Sequence, residues 1–274
     1  ADYTAKDKAE IVNDIDLTGV TLTSAESFKG TLDGGSHSLK NWTSDTTALF
    51  ATYSGIVKNI ILDASCKLTP LTGKEQFGFI AKTISSFGVM ENCVNNADIK
   101  YDVSTMGKTF FGSLVGISYG TIRNCVNNGD IAISISGNVT DNCAIGGLVG
   151  YSNVKEQYGD KGAGYDIAFD SCKNYGNITY TVDGTVKYLI MGGVAGGTSY
   201  NTIATAVFKG IAKDCLNEGN ISYTFKNGGL LVDDEGNAGS SNYTNVGGVF
   251  GYWEGSIESC VNGASDDNII DVTK

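Results

Sequence analysis

The sequence predicts an all-β chain, a right-handed parallel β-helix (β-solenoid) of about six coils with an N-terminal cap. Three observations carry this expectation. A glycine-rich apolar segment recurs, an asparagine stands two residues after a recurring cysteine, and a run of alternating apolar and polar residues follows, with no helical pattern between copies. Recurrence at fixed addresses is the signature of a repeat architecture, and period-two alternation is that of a strand with one buried face.

The best-preserved copy runs from Phe111 to Ile131. Its glycine segment, Phe111 to Gly116, returns as Ala48 to Phe50, Phe77 to Ile80, Ile145 to Gly150, Met191 to Gly196 and Val246 to Gly251. The cysteines are Cys93, Cys125, Cys172, Cys215 and Cys260, spaced by 32, 47, 43 and 45 residues, with Ile60 at the same address in the first copy. A position shared by cysteine and isoleucine calls for a compact apolar side chain, so these thiols are expected buried, reduced and stacked. The asparagines are Asn95, Asn127, Asn174, Asn217 and Asn262, each followed two positions later by Gly or Ala. Asparagine satisfies backbone groups at a bend and can stack on its equivalents. Close packing accounts for the Gly or Ala without a positive φ, because Ala97 and Ala264 share the address. The runs from Ile99, Ile131, Ile178 and Ile221 read as strands, giving about three short strands per coil. Six coils at the ~4.8 Å spacing of paired strands make a rod roughly 30 Å long, and the right-handed sense extends the preference of parallel crossovers.

Residues 1–48 read as an N-terminal cap continuous with the solenoid of 49–274. Asp14 to Leu17, Val20 to Leu22 and Phe28 to Asp33 read as strands, the last ending in the turn Gly34-Gly35. Such a cap shields the first coil's unpaired backbone. Segment 63–76, with Pro70, reads as a loop, and Ile269 to Val272 as a closing strand. Insertions 151–166 and 197–209 fall at one address in neighbouring coils; 183–190 and 226–245, the latter containing Asp233-Asp234-Glu235, fall at another.

Composition narrows the function classes. A chain of 274 residues with 41% hydrophobic content can bury one extended core. A net charge of −11 with one arginine, Arg123, and one histidine, His37, provides no basic groove for nucleic acid. No apolar run approaches the ~18 residues of a membrane-spanning helix, and the segment beginning at Ala1 shows no charged, apolar leader. Seven cysteines without a paired C-x-x-C spacing give no zinc site. Cys66 and Cys143 lie off the ladder.

Candidate site residues come from aromatic enrichment. Tyr53, Tyr119, Tyr151, Tyr200 and Tyr252-Trp253 each follow a glycine segment. They are read either as a cover for one corner of the solenoid or as planar surfaces for sugar rings. The sharper candidate is the corner of insertions 151–166 and 197–209, carrying Tyr151, Tyr158, Tyr165 and Tyr200, with Asp160 and Asp166 to bond sugar hydroxyls. Neither a cofactor nor a metal is expected there, since the spacing matches no calcium loop. Paired carboxylates for glycan cleavage are not singled out by spacing. Arg123 shares its address with Lys58, Glu91, Asp170, Lys213 and Glu258, which marks a solvent-facing position.

Two segments, Ile145 to Tyr151 and Gly120 to Ile131, resemble the GLUG repeat of large bacterial surface and secreted proteins, over about residues 45–266. The resemblance implies an exported cell-surface binding or adhesion module that recognises a glycan or an extracellular or host surface protein, in a chain that can carry further domains. Such repeats also occur beside the peptidase domain of immunoglobulin-cleaving enzymes, but the H-E-x-x-H signature is missing from this sequence. A polysaccharide-degrading enzyme on a β-helix scaffold and a structural spacer remain the alternatives.

Overall fold

The computed structural model describes residues 7–44, 47–68, 76–153, 166–198, 210–226, 244–253, 255–263 and 270–273. Every strand pairing among them is parallel, and they contain no helix. The chain is a parallel β-helix.

The coil from Thr109 to Ile135 shows the plan. Its strands are Thr109–Gly112, Val115–Ser118, Thr121–Arg123, Val126–Asn127 and Ile131–Ile135. Each belongs to a different sheet, here numbered 1 to 5 in that order. A coil therefore has five strands where the sequence suggested about three. Strands of two or three residues, as in sheets 3 and 4, are too short for alternation to show.

The region expected as a cap is built from the same ladders. Lys8–Glu10 pairs with Thr31–Asp33, which pairs with Ile56–Lys58 in sheet 3, and Ile15–Asp16 pairs with Ser38–Lys40 in sheet 4. Among the described residues these two sheets have eight strands each and sheet 2 has six. Three local expectations change. Val20 to Leu22 forms no strand. Segment 63–76 contains a strand, Lys67–Leu68, paired with Thr43–Ser44. Most of 183–190 lies in the strand Val186–Gly192, whose apolar residues Leu189, Ile190 and Met191 are buried. The closing strand is present as Ile270–Thr273, paired with sheet 5.

Alternation sorts side chains between core and surface. In sheet 5, Ile99, Tyr101 and Val103 point inward while Lys100 and Asp102 are exposed. The inward column of sheet 3, Val57, Met90, Ile122, Phe169 and Ala212, is fully buried.

At the sheet 4 corner the asparagines form a directional amide ladder. Asn95 Nδ2 donates to Asn127 Oδ1 at 2.8 Å, Asn127 to Asn174 at 2.8 Å, Asn174 to Asn217 at 2.7 Å and Asn217 to Asn262 at 2.8 Å. The second proton of each of the first four amides goes to a carbonyl of its own turn, Ala97, Gly129, Gly176 or Gly219, at 2.8 Å. Those turn glycines have no positive φ. A Cβ on Gly129, Gly176 or Gly219 would collide with the carbonyl of the coil before it, as the close-packing expectation required.

The double glycines belong to the same device. A Cβ on Gly147, Gly193 or Gly248 would strike the side chain of Asn174, Asn217 or Asn262 across the coil. In the coil where Leu62 takes the asparagine's place, the facing residue is Leu49, whose N–H bonds Phe79 in the backbone column leading to Ser113 and Gly147. The glycine segment and the cysteine–asparagine segment are thus two halves of one packing contact.

Between sheets 3 and 4 the chain turns through a left-handed residue in each coil: Asn59, Asn92, Asn124, Ser171, Asp214 and Ser259, with φ of 51–57°. Asn and Asp tolerate this region better than most L-residues. The residue just before each repeat cysteine was the available sequence signal for this corner.

Replacing Asn174 by leucine removes the acceptor of Asn127 and the donor to Asn217 and Gly176. Buried polar groups left unpaired cost ~1–3 kcal/mol each, so urea denaturation of Asn174→Leu should show a loss of about 3 kcal/mol or more. Asn262→Leu, at the exposed end, should cost under about 1 kcal/mol.

Candidate functional site

Insertions 151–166 and 197–209 connect the same two sheets in adjacent coils. Val149–Ser152 and Ala195–Gly197 pair where the chain leaves sheet 2, and Asp166–Asp170 and Gly210–Lys213 pair where it enters sheet 3. Tyr158, Asp160, Tyr165 and Tyr200 lie outside the described residues. Asp166 opens its strand as the register partner of Gly210.

Tyr151 lies in the strand Val149–Ser152, where the first insertion begins. It is 7% exposed and packs with Phe110, Ile117 and Ala144 in a small cluster separate from the main core, with Tyr119 at its margin. Its ring centroid lies 5.2 Å from that of Phe110, and Asn153 Nδ2 donates to its hydroxyl at 3.2 Å. The side chain is turned into this packing, not presented as an open aromatic face.

Among the described residues the aromatic column expected after the glycine segments does not form. Tyr53 is in register with Ile84, and Ile84 with Ser118, whereas Tyr151 is in register with Ile117. That offset of one residue puts Tyr53 in the main core and Tyr151 in the second cluster. Tyr252 pairs with Gly197 and is 37% exposed.

The address of Arg123 holds an ordered feature of the surface. Down sheet 3 the register reads Glu10, Asp33, Lys58, Glu91, Arg123, Asp170, Lys213, Glu258. From Asp33 onward, acid and base alternate coil by coil. Lys58 Nζ lies 2.9 Å from Asp33, and Arg123 Nη1 lies 3.3 Å from Glu91. From the sequence the position reads as variable, because neighbours in this column are 23 to 47 residues apart and their complementarity appears only in register.

A second polar group decorates the first coils. Lys40 and the Ser38 N–H hold the Asp14 carboxyl at a pKa of about 2, below its ordinary 3.8. The Thr18 hydroxyl and Asn41 amide do the same for Asp16, and Asn59 with the Gly35 N–H for Asp33. His37 Nδ1 is 3.5 Å from Asp14. Among the described residues no three His, Cys, Asp or Glu side chains are arranged to hold a metal ion, and no helix is long and apolar enough to cross a membrane.

All seven cysteines are free thiols, six of them buried and Cys260 half-buried. The Cys93 N–H meets Cys125 Sγ at 3.4 Å, and Cys125 Sγ donates to the Arg123 carbonyl at 3.2 Å. Burial pushes the Cys125, Cys143 and Cys66 thiols up, away from the reactive thiolate.

No family model and no curated protein sequence matches the chain. A solved structure from Bacteroides ovatus, described as a "putative immunoglobulin A1 protease", is similar in fold. It matches with a TM-score of 0.50 and 19% identity over 89% of this chain and 77% of that one. At that identity the likeness concerns architecture alone, and it agrees with the parallel β-helix described above.

Two outcomes follow. Native labelling with a thiol reagent should modify Cys260 first and leave the other six slow until denaturant is added. Depressed carboxyl pKa values stabilise the fold above the unfolded value near 4 and lose that contribution as pH falls toward 2. Amide exchange in the first two layers, around Ser38 and Gly35, should therefore accelerate between pH 4 and pH 2 more than exchange in the coil 109–135.

Proposed function

We propose that the chain is a non-catalytic binding module of an exported bacterial surface protein, recognising a glycan or a host surface protein. One observation carries the reading: two long connections leave paired strands and return to paired strands in adjacent coils of a scaffold locked by an amide ladder. Extended loops held side by side on a rigid frame are the usual way a solenoid builds a recognition surface. The resemblance of Gly120 to Ile131 to GLUG repeats supports the cell-surface setting. Tyr158, Tyr165 and Tyr200 are its aromatic contacts and Asp160 and Asp166 its hydrogen-bonding groups.

The test is a binding screen against arrays of acidic and neutral glycans and against extracellular proteins, immunoglobulin A1 included. Reducing ends, unsaturated products and peptide cleavage are followed in parallel. Binding without turnover is expected, with at least a tenfold loss in Tyr158→Ala/Tyr165→Ala at unchanged melting temperature. Turnover of any substrate would replace this reading with an enzymatic one, and silence in every assay would favour a spacer.

A further inference from the structure

The outer face of sheet 3 carries more order than pairing within one chain uses. Its charge column runs Lys58, Glu91, Arg123, Asp170, Lys213 and Glu258 on successive coils. Lys58 is satisfied within the column by Asp33 and Arg123 by Glu91. In the following coils that pairing stops. Lys213 Nζ lies 3.7 Å from Asp214, its neighbour in sequence, and neither Asp170 nor Glu258 has an ion pair among the described residues. The side chains of Arg123 and Lys213 are 41% and 47% exposed. Contacts between neighbouring coils therefore account for the first half of the alternation and leave the second half without partners.

The two halves complement each other. Lys58, Glu91 and Arg123 read base, acid, base, while Asp170, Lys213 and Glu258 read acid, base, acid, so the column matches itself when reversed end to end. A two-fold axis normal to the solenoid, passing between the coils of Arg123 and Asp170, sets Arg123 against Asp170 of a second copy, Glu91 against its Lys213 and Lys58 against its Glu258. All six facing positions are then opposite in sign. Other registers do worse. A slip of one coil, ~4.8 Å, opposes like charges throughout, and copies lying parallel oppose each residue to itself. A slip of two coils either brings Glu10 onto Glu258 or leaves only four of the contacts. Like-charge juxtaposition of this kind selects one arrangement against the rest.

The second outward column of the sheet fits the same geometry. Ile56 is 38% exposed, Val89 and Ile211 are half-buried, and the axis sets Val89 against Ile211. Sheet 5 has no such pattern. Its outward positions hold Lys100, Ala132, Thr179 and Ser222 in one column and Asp102, Ser134, Thr181 and Thr224 in the next.

We propose that the outer face of sheet 3 is an isologous, antiparallel contact between two copies of this chain. A strip of short strands over six coils is smaller than the ~800 Å² per partner of a standard interface, so the pair is weak and held by charge. Its central contacts, Arg123 with Asp170 and Glu91 with Lys213, lie in interior coils. The proposal does not depend on the loop-binding reading.

Sedimentation equilibrium of the full chain tests it. A monomer–dimer equilibrium is expected in ~20 mM salt, with a dissociation constant higher by roughly tenfold or more in ~500 mM salt, where exposed charges are screened. Arg123→Glu alone and Asp170→Arg alone should each weaken the dimer by a similar factor, because each opposes like charges twice at the axis. Mixed in equal amounts, the two variants should form a heterodimer in which both contacts are again opposite in sign. Glu91→Lys with Lys213→Glu gives the same readout one coil from the axis, and circular dichroism checks that each variant folds. Self-association that ignores salt and charge reversal, or mixtures no more associated than their components, would overturn the proposal. So would a chain that stays monomeric at ~1 mM in low salt.

Discussion

The buried asparagine ladder is the interaction on which the rest of the structure depends. A primary amide has two protons and an acceptor, and in each interior coil all three are used: one proton closes the local bend, the other reaches the next coil, and the oxygen receives the coil before. A net hydrogen bond is worth only ~1 kcal/mol, but a buried amide left unpaired costs more than that gain. The ladder therefore acts chiefly as a register device. A coil that slipped by one residue would orphan two amides and turn its apolar strand faces to water.

Several sequence features that look independent are consequences of this column. The second glycine of each double-glycine pair makes room for the amide across the coil, and the Gly or Ala two residues after the asparagine lets its backbone approach the turn below. The backbone column of that second glycine carries Leu49, Phe79 and Ser113 in the earlier coils and glycine from Gly147 onward. The repeat cysteine packs as a small side chain whose thiol donates to a nearby carbonyl. On the outer surface the charge column repeats the same logic at lower energy. Exposed ion pairs add little stability singly, but alternation of sign penalises the wrong neighbour.

These constraints bear on function through rigidity. Short connections cannot move far when both of their flanking strands are pinned, so variation collects in the long connections, two between sheets 2 and 3 and one between Ile221–Phe225 of sheet 5 and Thr244–Gly247 of sheet 1. Tyr151 illustrates the division of labour. Its position next to an insertion suggested a contact residue, but its strand register places it in a packed cluster with Phe110 and Ile117. Neighbouring insertions were legible because they interrupt a countable repeat. Which of their aromatics face outward was not, since that depends on a one-residue phase.

The sequence by itself determined the repeat addresses, the inward cysteine and asparagine positions, the all-β class and the coincidence of two insertions, because each is a local pattern of side-chain size and polarity. It did not reveal five strands per coil, since segments such as Val126–Asn127 are too short to show a period. Nor did it reveal that the N-terminal residues extend sheets 3 and 4. Only the tertiary structure decided the split between Tyr53 and Tyr151, the left-handed corner from Asn59 to Ser259 and the alternating charges. Each of those rests on contacts between coils distant in sequence, and register across a parallel sheet is set by the packing of the whole stack.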